Sequence, residues 1–88
     1  MMVRSMYRER KIGNIIRLIR KRSHLTQEEL AEKVHIGRST LSDYEREKTD
    51  INFYIITEIC RQCGYSIEFK CINNEKEIIT VGNINRKI

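Results

Sequence analysis

The run from Leu25 to Lys48, LTQEELAEKVHIGRSTLSDYEREK, constrains this chain more than any other stretch. It predicts two short helices joined by a tight turn. Thr26 can cap the first helix, and Glu29, three residues on, completes a capping box. Leu30 and Val34 then fall on one face at helical spacing, with Ala31 beside them. A small side chain at that point lets a second helix approach closely. His35, Ile36 and Gly37 break the period, and Gly37 is expected to supply turn backbone that other residues resist. Arg38 to Arg46 read as the second helix. Leu41 and Tyr44 point inward, and Arg38, Ser39, Ser42 and Asp43 are left facing out. A helix apolar at its back and rich in hydrogen-bonding groups at its front suits a DNA major groove.

Flanking segments extend the pattern. IGNIIRLIR (12–20) precedes it, and an amphipathic segment ending at Gly64 follows. With LTQEELAEKV (25–34) and RSTLSDYE (38–45), they stand in the order and at the separations of the lambda-repressor-like (XRE family) transcriptional regulators. The chain resembles that family from about Ile12 to Gly64. The resemblance implies a mainly α fold: a four-helix DNA-binding domain, here with a C-terminal β-strand or hairpin. It implies that Arg38 and Ser39 open the recognition helix and read bases, with Ser42 and Asp43 on the same face. Gln27, Gly37, Thr40, Arg46 and Lys48 are the expected phosphate contacts. It also implies an ion pair between Arg20 and Glu45, tying the first helix to the third. Arg20 lies close to the apolar stripe Ile12, Ile15, Ile16 and Ile19, an odd place for a charge unless it is paired. The alternative is two separate surface charges. The family usually has Gly at position 47 and often Pro at 51, where this chain has Glu47 and Ile51. A left-handed Glu47 would cost roughly 1 kcal/mol.

The chain has 88 residues, enough for one small domain, whose core would gain from a dimer partner. Net charge is +5, unevenly spread. Residues 1–22 carry eight basic groups and one acid, net +7, so residues 23–88 carry −2. A concentrated basic end suggests a polyanion partner; the plainer reading is a solvated helix face. No apolar run approaches the roughly 20 residues of a membrane span, and no apolar segment follows the charged start as in a signal peptide. The expectation is a cytoplasmic protein without membrane contact.

Three cysteines do not suggest a disulfide framework. Cys60 and Cys63 form a CxxC, but only Cys71 could join them near a metal, so they read as small core residues. His24 and His35 read as turn residues. No acid, base and nucleophile converge, so catalytic residues, metal and cofactor are all expected to be absent.

In chain order, residues 1–8 read as a flexible basic arm. The first helix is expected from about Glu9 to Arg22, and residues 9–64 form the DNA-binding domain. Asn52 caps the fourth helix, which Gly64 ends. Phe53, Ile56, Ile59, Cys60 and Cys63 are its apolar face. After Gly64 the period becomes two. Tyr65, Ile67, Phe69 and Cys71 alternate with Ser66, Glu68 and Lys70. Asn73 and Asn74 turn the chain, and Glu77 to Val81 read as a second strand. Residues 65–81 are the expected dimerisation element, carried by Tyr65, Ile67, Phe69 and Cys71, and 82–88 a flexible tail. Many family members have a short fifth helix near Ile67 instead. The switch from helix to strand, with YSIEFKC, resembles the HipB-like antitoxins. The expected function is a homodimeric repressor on an inverted-repeat operator in double-stranded DNA. The alternative is an antitoxin that also binds a toxin protein and represses its own operon.

Overall fold

A computed structural model describes residues 11–81; the arm (1–8) and tail (82–88) expected from the sequence lie outside them. Four helices are followed by one hairpin: α1 (Ile12–Arg22), α2 (Gln27–Lys33), α3 (Arg38–Glu45), α4 (Phe53–Cys63), β1 (Ile67–Lys70) and β2 (Ile78–Val81). Lys11 is extended, so α1 starts at Ile12, three residues later than the apolar pattern suggested. Gly13 and not Ile12 faces the end of α3, and Ile12 is 39% exposed.

Ile16 of α1, Leu30, Ala31 and Val34 from α2 and its end, Leu41 of α3 and Ile59 of α4 form one buried cluster. Leu25, Ile36, Ile51, Ile55, Ile56 and Cys63 pack around it. Ala31 is buried within this cluster, 2% exposed. Phe53 departs from expectation. It opens α4 away from the cluster and is 52% exposed, while Ile55 takes a place against the core.

Local signals set the helix ends. The Thr26 hydroxyl accepts from the Glu29 N–H at 3.0 Å, and the Glu29 carboxylate accepts from the Thr26 N–H at 2.8 Å, closing the capping box. Asn52 Oδ1 accepts from the N–H of Tyr54 and Ile55, satisfying two orphan donors of α4. All four helices stop the same way. The N–H of Leu25, Ile36, Lys48 and Tyr65 donates to the carbonyl five residues back, at Arg20, Ala31, Asp43 and Cys60. Such a stop requires left-handed backbone at the residue before the donor. Those residues are His24 (φ 59°), His35 (φ 61°), Glu47 (φ 59°) and Gly64 (φ 81°). Gly37 therefore does not do what its residue type suggested. It is the N-cap of α3, with ordinary extended backbone (φ −75°, ψ 154°), and His35 makes the turn.

The strands pair antiparallel, Ile67 opposite Val81 and Phe69 opposite Ile79. They are shorter than the alternation suggested. The Tyr65 N–H is used in stopping α4, so Tyr65 lies outside β1. Cys71 also lies beyond β1, although its N–H donates to the Glu77 carbonyl at 3.1 Å. Asn74 shapes the turn, accepting at Oδ1 from Lys76 N–H.

Candidate nucleic-acid interface

α3 is held from behind. Leu41 is fully buried, and Glu45, one turn later, is 6% exposed. Arg20 of α1 is 8% exposed and meets Glu45 with two bonds, Nε to Oε2 at 2.7 Å and Nη2 to Oε1 at 3.0 Å. Its remaining terminal nitrogen donates to the Leu25 carbonyl at 2.9 Å. The fork matches a carboxylate, and the geometry fixes the angle between α1 and α3. Burying both charges is tolerable only because each is paired and hydrogen-bonded.

A second stitch lies at the other end of α1. Glu47 Oε2 accepts from the Gly13 N–H at 2.6 Å. Gly13 is in the first turn of α1, where N–H groups lack partners within the helix. The carboxylate thus caps a helix whose own N-cap, Lys11, has no capping side chain. The approach is close: a Cβ at Gly13 would lie 2.6 Å from the carbonyl oxygens of Tyr44 and Glu45. Those carbonyls end α3, so the negative end of one helix faces the positive end of the other. Composition and period gave no hint of this contact. A glycine inside an otherwise helical run, IGNIIRLIRKR, was the available signal.

With its back fixed, α3 presents its other face outward. Arg38 and Ser39 are exposed; Thr40, Ser42 and Asp43 are half-buried. Asp43 lies 3.5 Å from Arg46, an exposed pair one turn apart. Gly37 and Lys48 are exposed beyond either end of α3. Gln27 is engaged within the protein, its Nε2 donating to Glu45 Oε1 at 3.1 Å. A carboxylate only accepts, so the amide orientation is set, and the other Nε2 hydrogen has no partner among the described residues.

The three cysteines are free thiols. Burial pushes the Cys60 thiol pKa up, and the nearby Cys63 adds to the rise. Among the described residues no group of three or more metal-ligating side chains occurs, and no helix is long and apolar enough to cross a membrane.

A buried-back, polar-front helix set against a capped partner defines a helix-turn-helix domain. The family model described as Helix-turn-helix (HTH_3) matches residues 16–70, and the chain belongs to this family. The resemblance to lambda-repressor-like (XRE family) regulators therefore holds. Two solved structures of the clp gene regulator ClgR from Corynebacterium glutamicum are similar to it. One shares 26% identity over 61% of this chain and 57% of its own, with a TM-score of 0.59. The other shares 27% identity over 64% of this chain and 72% of its own, with a TM-score of 0.60. The chain thus spans little more than half the length of the first of these. No curated protein matches it. These likenesses lend nothing to the HipB-like resemblance.

Proposed function

We propose that this chain is a sequence-specific repressor that binds an inverted-repeat operator in double-stranded DNA as a homodimer. One observation carries the reading: the outward face of α3 holds Arg38, Ser39, Ser42 and Asp43, while Leu41 and Glu45 anchor the same helix from behind. Arg38 can grip a guanine with two bonds, and Asp43 can accept from a cytosine amino group. Ser39 and Ser42 can donate or accept. Thr40, Arg46, Lys48, Gln27 and the Gly37 amide are the backbone contacts, which set affinity and register and carry little sequence choice. Asp43 leaves Arg46 for a base as Arg46 turns to a phosphate.

The second copy docks on the hairpin. Residues directly opposite in an antiparallel pair share a face, so Ile67, Phe69, Ile79 and Val81 form one apolar patch. None of the four joins the helical core cluster, and Phe69 and Ile79 are 58% and 59% exposed. A twofold axis through this patch buries it and aims two recognition helices at one side of the duplex. Half-site centres then lie about one helical turn apart, or a multiple of it. An antitoxin would cover the same patch with a toxin.

Selecting bound fragments from a random duplex pool, with light scattering on the same sample, tests both parts. Enrichment of a palindrome by a dimer supports the reading. A chain that retains no duplex over the pool background overturns it. A monomer that enriches a single half-site overturns the dimer alone.

A further inference from the structure

DNA binding makes no use of the CxxC of α4. Cys60 and Cys63 lie one turn apart at the end of that helix, and Cys63 is its last residue. Cys60 is 8% exposed, and Cys63 is half-buried against the core cluster. Residues three apart on a helix have Cα atoms about 5 Å apart, inside the range of about 4.4–6.8 Å that a disulfide spans. Their Cβ atoms stand about 5–6 Å apart, and a disulfide draws them to about 3.5–4.5 Å. Closing the bond therefore pulls the last turn of α4 by about 1–2 Å. That turn can yield, because Gly64 follows it, and a Cβ there would meet nothing within 4 Å.

The same two residues bracket the joint between the helices and the hairpin. The Tyr65 N–H donates to the Cys60 carbonyl at 2.8 Å, and the Gly64 N–H to the Arg61 carbonyl at 3.3 Å. Gly64, left-handed at φ 81°, sets the direction in which the chain leaves α4. β1 begins at Ile67, and none of Ile67, Phe69, Ile79 and Val81 joins the helical core cluster. The stop of α4 thus aims the hairpin. Moving that stop moves the dimer face relative to the recognition helix.

We propose that Cys60 and Cys63 form a redox site: a peroxide closes them into a disulfide, and the displaced stop of α4 breaks the dimer and releases the operator. The effect on DNA rests on the homodimeric repressor reading above; the disulfide itself does not. Cys63, the more exposed thiol, reacts first. Its sulfur attacks one peroxide oxygen and the O–O bond breaks. The leaving oxygen keeps the bond pair and takes the Cys63 proton, forming water. Cys63 is then a sulfenic acid. The Cys60 sulfur attacks the Cys63 sulfur and expels hydroxide, which takes the Cys60 proton as a second water. Two thiols lose two electrons, and hydrogen peroxide is reduced to two waters. Burial and the neighbouring Cys63 push the Cys60 thiol up, so it keeps its proton until that step. The disulfide carries no charge, so the buried position accepts it as it accepts the thiols.

The test treats the full chain with hydrogen peroxide and reads thiols, mass and binding to a duplex selected from the random pool. Titratable thiols should fall from three to one, with the loss of two hydrogens from the chain. Trypsin cuts after Arg61 and Lys70, so Cys60, Cys63 and Cys71 fall on three peptides. The first two should be joined, and a non-reducing gel should show no linked chains. Light scattering should then read monomer. Affinity for the duplex should fall by about 100-fold or more, the avidity of two joined heads. A dithiol reductant should restore both. Cys63→Ser should dimerise and bind like the parent, and keep its affinity in peroxide. The readings on the parent decide the matter even if that variant does not fold. Thiols that survive peroxide, or a bond only between two chains, overturn the redox site. A disulfide that leaves dimer and affinity intact overturns the switch and leaves the repressor reading standing. A parent that is monomeric before peroxide overturns the dimer reading and the release with it.

Discussion

His24, His35 and Glu47 hold the same left-handed backbone at three helix ends, and among the described residues only Glu47 of the three has a side-chain hydrogen bond. A side chain in that region costs roughly 1–2 kcal/mol, which glycine avoids, although glycine gives back part through a freer unfolded chain. His24→Gly and His35→Gly should each therefore stabilise the fold by about 0.5–1 kcal/mol. Glu47→Gly relieves the same strain but removes the carboxylate from the first turn of α1. Losing a cap costs about 1 kcal/mol, so this change should be near neutral. Chemical denaturation of the three variants checks the contrast; equal gains at all three sites would show that the Gly13 cap contributes nothing. The same three positions show what was legible in the sequence. Gly64 announced its helix stop by residue type, and Thr26 with Glu29 announced a capping box. His24 and His35 were legible as turn residues but their left-handed backbone was not, because the geometry of closing a helix sets it. Glu47 was visible only as a departure from a family habit; its partner, Gly13, is 34 residues away.

At the scale of the element, α1 and α3 are joined at two points, and the two should fail differently. Arg20→Met leaves Glu45 buried with only Gln27 as a side-chain donor. The expected loss is about 3–5 kcal/mol, the penalty of a stranded buried charge. The double change Arg20→Met with Glu45→Leu should recover most of it, which a double-mutant cycle on unfolding measures. Additive losses would mean the pair is not coupled. α3 also carries the prediction on recognition. Arg38→Ala should cost about 1–3 kcal/mol at one base pair of the operator and relax selectivity there. Equal weakening on selected and random duplexes would remove Arg38 from the reading set. That Arg20 needs a partner was legible because it lies beside an isoleucine stripe; that the partner is Glu45 came from the family resemblance.

At the scale of the whole molecule, the hairpin stands apart from the helical core. Phe69→Asp puts a charge at the centre of its apolar face. A monomeric chain tolerates this at an exposed position, whereas a dimer closed on that face must bury the charge and comes apart. Sedimentation or light scattering at micromolar concentration should report monomer for the variant and dimer for the parent, with helical content unchanged. A parent and variant of equal mass would move the contact elsewhere. The division of labour along α3 has a consequence of another kind. Leu41 and Glu45 hold the helix in place, while Arg38 and Ser39 stand exposed on its other face. On the proposed reading, stability and recognition are stored in different residues of one eight-residue helix. A duplicated copy of this chain could change operator through positions 38, 39, 42 and 43 while keeping its frame. Two such copies in one cell could then diverge without either passing through an unfolded ancestor. With the proposed dimer built on the hairpin, that shared element would be the remaining source of cross-talk, because mixed pairs would form until the patch around Phe69 also diverged.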